Sequence, residues 1–149
     1  MNPTLELADP PNAEHSRLLF EGVRSFNHEK TGNERPRTVA YFLRDEQKQL
    51  IGGVQGMLWG RFMHIDVLWV DQNYRGQGHG SELMNAIESY GLEHGHPLFY
   101  LETASFQALP FYQGLGYQVF GELPNVSEGH TLFFLKKDIE QERRVMSDE

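Results

Sequence analysis

The sequence contains no cysteine. That absence excludes disulfides, thiolate metal sites and a cysteine acyl-enzyme, so any acyl transfer uses another nucleophile or proceeds directly. Basic residues are also few, 13 lysines and arginines against 21 aspartates and glutamates, for a formal net charge of −8. A protein that grips a long phosphate backbone carries the opposite balance, and nucleic acid is not an expected partner. The surplus of carboxylates draws amines and other cations, although a solvated acidic surface that serves solubility has the same composition. Long apolar runs are missing too: no stretch approaches the roughly 18 residues of a membrane span, and the start of the chain lacks the basic and apolar segments of a signal peptide. The expectation is a cytoplasmic protein with no membrane partner.

What is present is the material of a packed domain. Hydrophobic residues make up 39% of the chain and aromatics 12%, with ten phenylalanines, which argues against disorder. A chain of this size buries roughly 70% of its unfolded surface and suits a single core. With no internal repeat, one domain is expected over residues 3–138, followed by an acidic tail, 139–149.

A short strand is expected around Leu5–Ala8. The segment Asn12–Lys30 then places Leu18, Leu19, Gly22, Val23 and Phe26 on one stripe, the pattern of an amphipathic helix. Three strands follow, Thr38–Arg44, Gln49–Leu58 and Phe62–Val70, whose short connectors make them antiparallel neighbours. Helical spacing returns from Gly78 to about His94, with Leu83, Met84, Ile87 and Tyr90 on one face. Leu98–Thr103 reads as a strand, Leu109–Leu115 as a short helix with Pro110 in its first turn, and Tyr117–Leu123 and Thr131–Lys137 as closing strands. The strand-helix-strand crossover over residues 62–103 makes its two strands parallel. The fold class is therefore α/β, a mixed, mostly antiparallel central sheet flanked by helices.

The most informative stretch is Arg75-Gly76-Gln77-Gly78-His79-Gly80-Ser81. Alternate glycines allow close backbone approach, and amides converging on a helix start form an anion cradle that the helix dipole strengthens. Arg75 adds a charge-assisted contact and Ser81 a hydroxyl, which suits a phosphate or pyrophosphate. The same glycines also fit a plain strand-to-helix turn with a surface arginine. A dinucleotide fingerprint needs glycine or alanine where Ser81 stands and a strand running straight into Gly76, whereas five residues intervene after Val70. Glu102 does lie where a ribose-binding acid would, which keeps that reading open. No Gly-Lys-Ser/Thr follows, so a Walker loop is excluded.

A strand ending at Val70, the glycine run opening a helix, and a second strand leading into Ala108-x-x-Phe111-Tyr112-x-x-x-Gly116-Tyr117 together resemble the GNAT superfamily of N-acetyltransferases. The resemblance covers about Gln49 to Lys137. It implies the acyl-CoA N-acyltransferase fold and acetyl-CoA as acyl donor. Leu68 and Val70 would then offer backbone groups to the pantetheine arm, and Arg75, Gly76, Gln77, Gly78, His79, Gly80 and Ser81 would hold the pyrophosphate. Ser105 stands where many members carry a cofactor-binding asparagine. Trp59, Phe26 and Asn27 fall where the family places the acceptor, although Phe26 reads more readily as a core residue and Asn27 equally well as a helix-end residue. A homodimer through the C-terminal strands is an option on family grounds. The wording Ser105-Phe106-Gln107-Ala108 resembles a subset of members and points to no substrate.

Transfer from a thioester to an amine needs a neutral amine, a stabilised oxyanion and a proton for the leaving thiolate. Direct attack in a ternary complex meets these needs without a covalent enzyme intermediate. The resemblance makes Tyr112 the general acid, against the alternative of a core tyrosine. On the strand Phe62–Val70, His64, Asp66, Leu68 and Val70 share one face by the period of two. His64, where some members carry a glutamate base, and Asp66, which would orient it or bind an ammonium group, are the candidate proton acceptors. Either also reads as a structural polar group. His94, His96 and His130 have no thiolate or tight carboxylate spacing around them, and no metal is expected. The acceptor is a primary amine of an unidentified small molecule or peptide; the alternative is a non-catalytic acyl-CoA or nucleotide-binding module.

Overall fold

Asn12 opens the first helix by accepting hydrogen bonds from the amides of Glu14 and His15, at 2.8 and 3.2 Å. These satisfy two of the donors that every helix start leaves unpaired. A computed structural model describes residues 2–139, in which helix α1 spans Ala13–Thr31. The chain divides into two compact units, one up to Arg35 and one from Pro36 onward. In the first unit, Glu21 and Arg35 form an ion pair. Leu18, Leu19, Val23 and Phe26 are each more than half exposed. The reading of Phe26 as a core residue is thus corrected: its ring lies 5.5 Å from the Lys30 ammonium instead. The strand expected at Leu5–Ala8 is absent, and those residues are exposed without a ladder partner. Pro3, Pro10 and Pro11 bracket them, and proline supplies no amide to a ladder.

The second unit carries a six-stranded sheet. Its strands are β1 (Arg37–Arg44), β2 (Leu50–Trp59), β3 (Phe62–Val70), β4 (Leu98–Ala104), β5 (Gln118–Ser127) and β6 (His130–Asp138), in the order β1-β2-β3-β4-β6-β5. All neighbours are antiparallel except β3 and β4. Helix α2 (His79–Glu93) is the crossover between those two, and a short α3 (Leu109–Gly114) follows β4. A 3₁₀ turn at Gln72–Tyr74, capped by the Asp71 carboxylate, is an element that the sequence pattern does not announce.

Leu83, Met84 and Ile87 of α2 pack with Val54, Leu58, Met63, Phe99 and Leu101 of the sheet to form the core. Each such side chain contributes about 1.5–3 kcal/mol on burial. One carboxylate, Glu88, is buried among them. It accepts from Lys137 Nζ at 2.8 Å and from Tyr117 Oη at 3.0 Å, which compensates its desolvation and fastens α2 to β6. The Ile139 amide donates to the Pro97 carbonyl at 3.0 Å. The rest of the expected tail, residues 140–149, lies outside the described residues. Among the described residues no helix is long and apolar enough to cross a membrane.

Candidate active site

Strand β3 holds the key to the site because it changes its pairing half-way. Its parallel ladder with β4 covers only Phe62↔Leu98, Met63↔Phe99 and His64↔Tyr100 and then stops. On its other side, the register with β2 steps from Gly56↔Ile65 to Gln55↔Val67, leaving Asp66 as a bulge. A bulge bends its strand and reverses the facing of every later residue. The expectation that His64, Asp66, Leu68 and Val70 share one face is corrected accordingly. Met63, Ile65, Leu68 and Val70 all pack on the core side, while His64 lies on the opposite face.

Beyond His64 the two strands part, and a notch of about 180 Å³ opens between Asp66 to Leu68 on β3 and Leu101 to Thr103 on β4. A larger cleft of about 660 Å³ runs from Leu68 to Val70, along Arg75, Gly76 and Gly78 to Ser81, and past Phe106 and Phe111. Leu68, Gln107, Ala108 and Tyr112 line both, so the two spaces meet there.

The large cleft brings the glycine loop together with the aromatic residues Trp69, Tyr74, Phe106, Phe111 and Tyr112. Gly76 and Gly78 hold φ of +74° and +86°, and nothing stands within 4 Å of where a Cβ would project. Only glycine adopts this backbone without strain, and its use here turns the loop amides toward the start of α2. Arg75 Nε donates to the Val70 carbonyl at 2.8 Å, which ties its side chain to the end of β3. His79 Nδ1 is buried with no hydrogen bond, 3.5 Å from the Glu82 carboxylate, a distance that suits an ion pair but not a bond.

Beside the notch, His64 sits between two carboxylates. Its Nδ1 is 3.0 Å from Asp66 Oδ1, and its Nε2 is 2.9 Å from both oxygens of Glu102. A neutral imidazole carries one N–H and serves one carboxylate; the imidazolium donates to both. Its ring stacks on Tyr100 at 4.3 Å. Burial, and then the charges of Glu102 and Asp66, raise the Tyr100 phenol above its ordinary value. An aromatic row, Trp59 on Phe62 on Tyr100, continues from this cluster across the sheet. Tyr112 is buried, at 8% exposure, and burial raises its phenol above the ordinary value as well.

A model of the acetyltransferase (GNAT) family matches residues 4–117. The chain belongs to that family. It is 34% identical over 119 residues to a blasticidin-S acetyltransferase of Streptomyces morookaense, covering 78% of this chain and 88% of the relative. Its fold matches the crystal structure of an acetyltransferase from Bacillus cereus with a TM-score of 0.79 at 29% identity, over 91% of this chain and 96% of that one. It also matches, in fold, an aminoglycoside 6'-N-acetyltransferase complexed with coenzyme A, with a TM-score of 0.60 at 22% identity, over 68% and 73% of the two chains. The mixed sheet flanked by helices is the GNAT fold.

Against this family frame the expected residues divide. Leu68, Val70, Arg75, Gly76, Gly78, His79, Gly80 and Ser81 all line the large cleft, and Tyr112 lines both spaces. Gln77 and Ser105 are exposed and line neither. His64 and Asp66 come together as expected, though locked in a cluster that the sequence did not complete. Trp59 reaches that cluster only through the aromatic row. Phe26 and Asn27 belong to the first unit, where the Asn27 carbonyl accepts from the Thr31 hydroxyl at 2.7 Å. His94 stacks on Tyr90 and His130 packs against Phe106. Tyr100 was missed altogether, Glu102 was weighed only as a ribose-binding acid, and Gln107 was noted only as part of the Ser105–Ala108 run. Tyr100 and Glu102 alternate with buried Phe99, Leu101 and Thr103, so the period of two was the signal that placed them beside His64.

Proposed function

We propose that the protein transfers the acetyl group of acetyl-CoA to a primary amine on a small, positively charged molecule, by direct attack in a ternary complex. The observation that carries this reading is the meeting of the two spaces at Tyr112, with the Asp66 and Glu102 carboxylates on the wall of the smaller one. The relative named for blasticidin S supports a small-molecule acceptor.

The glycine loop, Arg75, His79 and Ser81 suit the pyrophosphate. Past the bulge, β3 has no ladder partner on its β4 side, which leaves the Leu68 backbone and the amide of Val70, whose carbonyl Arg75 engages, to bond the amides of the pantetheine arm. Acetyl-CoA supplies the activated acyl carbon. The carboxylates draw the ammonium form of the acceptor, and Glu102 with His64 takes up its proton, so that the neutral nitrogen forms the C–N bond as the C–S bond breaks. Tyr112 holds its proton at neutral pH because burial raises its phenol, and gives it to the departing sulfur. The second proton, lost by the nitrogen as the amide forms, restores the phenol through water, and the first passes from Glu102 and His64 to solvent. No covalent enzyme intermediate arises, in keeping with the absence of cysteine.

Mass spectrometry of products from acetyl-CoA and a panel of cationic amines tests the assignment, with Glu102→Gln beside the wild type. Acetylated product that falls about tenfold or more in the variant, with acetyl-CoA affinity retained, is the expected result. A thermal shift with CoA but no turnover on any amine would reduce the protein to a binding module.

A further inference from the structure

The turn between β4 and α3 carries Ser105-Phe106-Gln107-Ala108, a run to which the family resemblance gives no chemistry beyond Ser105. The Ser105 hydroxyl is engaged away from the clefts: it accepts from the Thr131 amide at 3.1 Å and lies 3.4 Å from His130 Nδ1. Gln107 is exposed like Ser105, but it lines both spaces where they meet, and its Oε1 accepts from the Ala104 amide at 2.7 Å. That bond fixes the orientation of the side chain, since only the carbonyl end of an amide can face a backbone N–H. The NH2 end is therefore the end left for a ligand, on a side chain that lines both spaces together with Tyr112 and Ala108.

We infer that Gln107 positions the acyl donor: its NH2 group donates a hydrogen bond to a carbonyl oxygen at the acyl end of the bound thioester, the contact that Ser105 does not make. The side chain then has two separable tasks. Its oxygen closes the turn by satisfying Ala104, and its nitrogen holds the donor so that the reacting carbon lies at the junction of the clefts. A rigidly held donor of this kind is favourable because its orientation is set before the ligand arrives. The inference rests on the acetyl-CoA reading of the cleft.

Gln107→Glu separates the two tasks, because a carboxylate still accepts from Ala104 but donates nothing, whereas Gln107→Leu abolishes both. Calorimetric titration with acetyl-CoA and with CoA, together with thermal melting, reads the outcome. The Glu variant is expected to melt within about 2 °C of wild type and to bind acetyl-CoA about tenfold more weakly. The loss should persist at about 0.5 M salt, where repulsion from the added charge is screened. A loss confined to acetyl-CoA assigns the contact to the thioester carbonyl, and an equal loss for CoA assigns it to the nearest pantetheine amide. Wild-type affinity in the Glu variant, or a loss that vanishes in salt, overturns the inference. If the wild-type protein binds neither ligand, the acetyl-CoA reading falls and takes this assignment with it.

Discussion

The two sides of the candidate site are made of different material. The proposed donor cleft is lined largely by one stretch of chain, from Leu68 through the glycines to Ser81, whose loop takes its path from the positive φ of Gly76 and Gly78. The acceptor side is a convergence of side chains, in which His64 and Glu102 meet from 38 positions apart. A backbone cradle depends on a few torsion angles. A side-chain cluster depends on strand register, so one displaced residue would disperse it.

The largest effect that tests this contrast lies where the two sides touch. Tyr112→Phe is expected to lower kcat about 100-fold while acetyl-CoA affinity, read by calorimetry, stays within about twofold. An equal loss of affinity would mean that the phenol belongs to the donor side and that the division is drawn in the wrong place. A smaller effect is expected from Gly78→Ala, because φ of +86° costs a residue with a Cβ about 1–2 kcal/mol. CoA affinity should fall about tenfold with an unchanged pH–rate profile; an altered profile would show that the cradle reaches the proton chemistry.

The smallest effect concerns His96, which belongs to neither side. Burial, and then the Arg37 charge, lower its pKa from 6.5. Below that value the unfolded chain takes up a proton that the folded protein resists, so the stability present above it is lost as pH falls. Melting at pH 5.5 should therefore be about 2 °C less depressed in His96→Gln than in wild type. An unchanged acid sensitivity would remove His96 as its source.

That the glycine run and its flanks line one cleft was legible in the sequence. Its residues are consecutive, and glycines before a helix carry their own geometry. The limits of β3, Phe62–Val70, were read from pattern alone and match the structure. Inside those limits lay what pattern does not show. Nothing in Ile65-Asp66-Val67 marks a bulge, because whether a strand inserts a residue is decided by its neighbour. The parallel ladder with β4 was expected and is present, but no local signal says that it ends after three pairs. Glu102 was weighed for its distance from the glycines, as in a dinucleotide site, when its meaning lay in the strand beside it. At the N-terminus, Leu5–Ala8 has the composition of a strand and no strand to join.

The single uncoupled residue at Asp66 also sets how this site can change. Substitution there alters a charge and leaves the fork open. Deletion alters a count: β3 would pair with β2 without a step, Leu68 and Val70 would keep Val54 and Gly52 as partners and their place on the core side, and the strand would lose the bend that the extra residue gives it. The width of the opening is thus stored as the number of residues between Ile65 and Leu68. Its chemistry can drift by small replacements, while its shape can move only in whole steps.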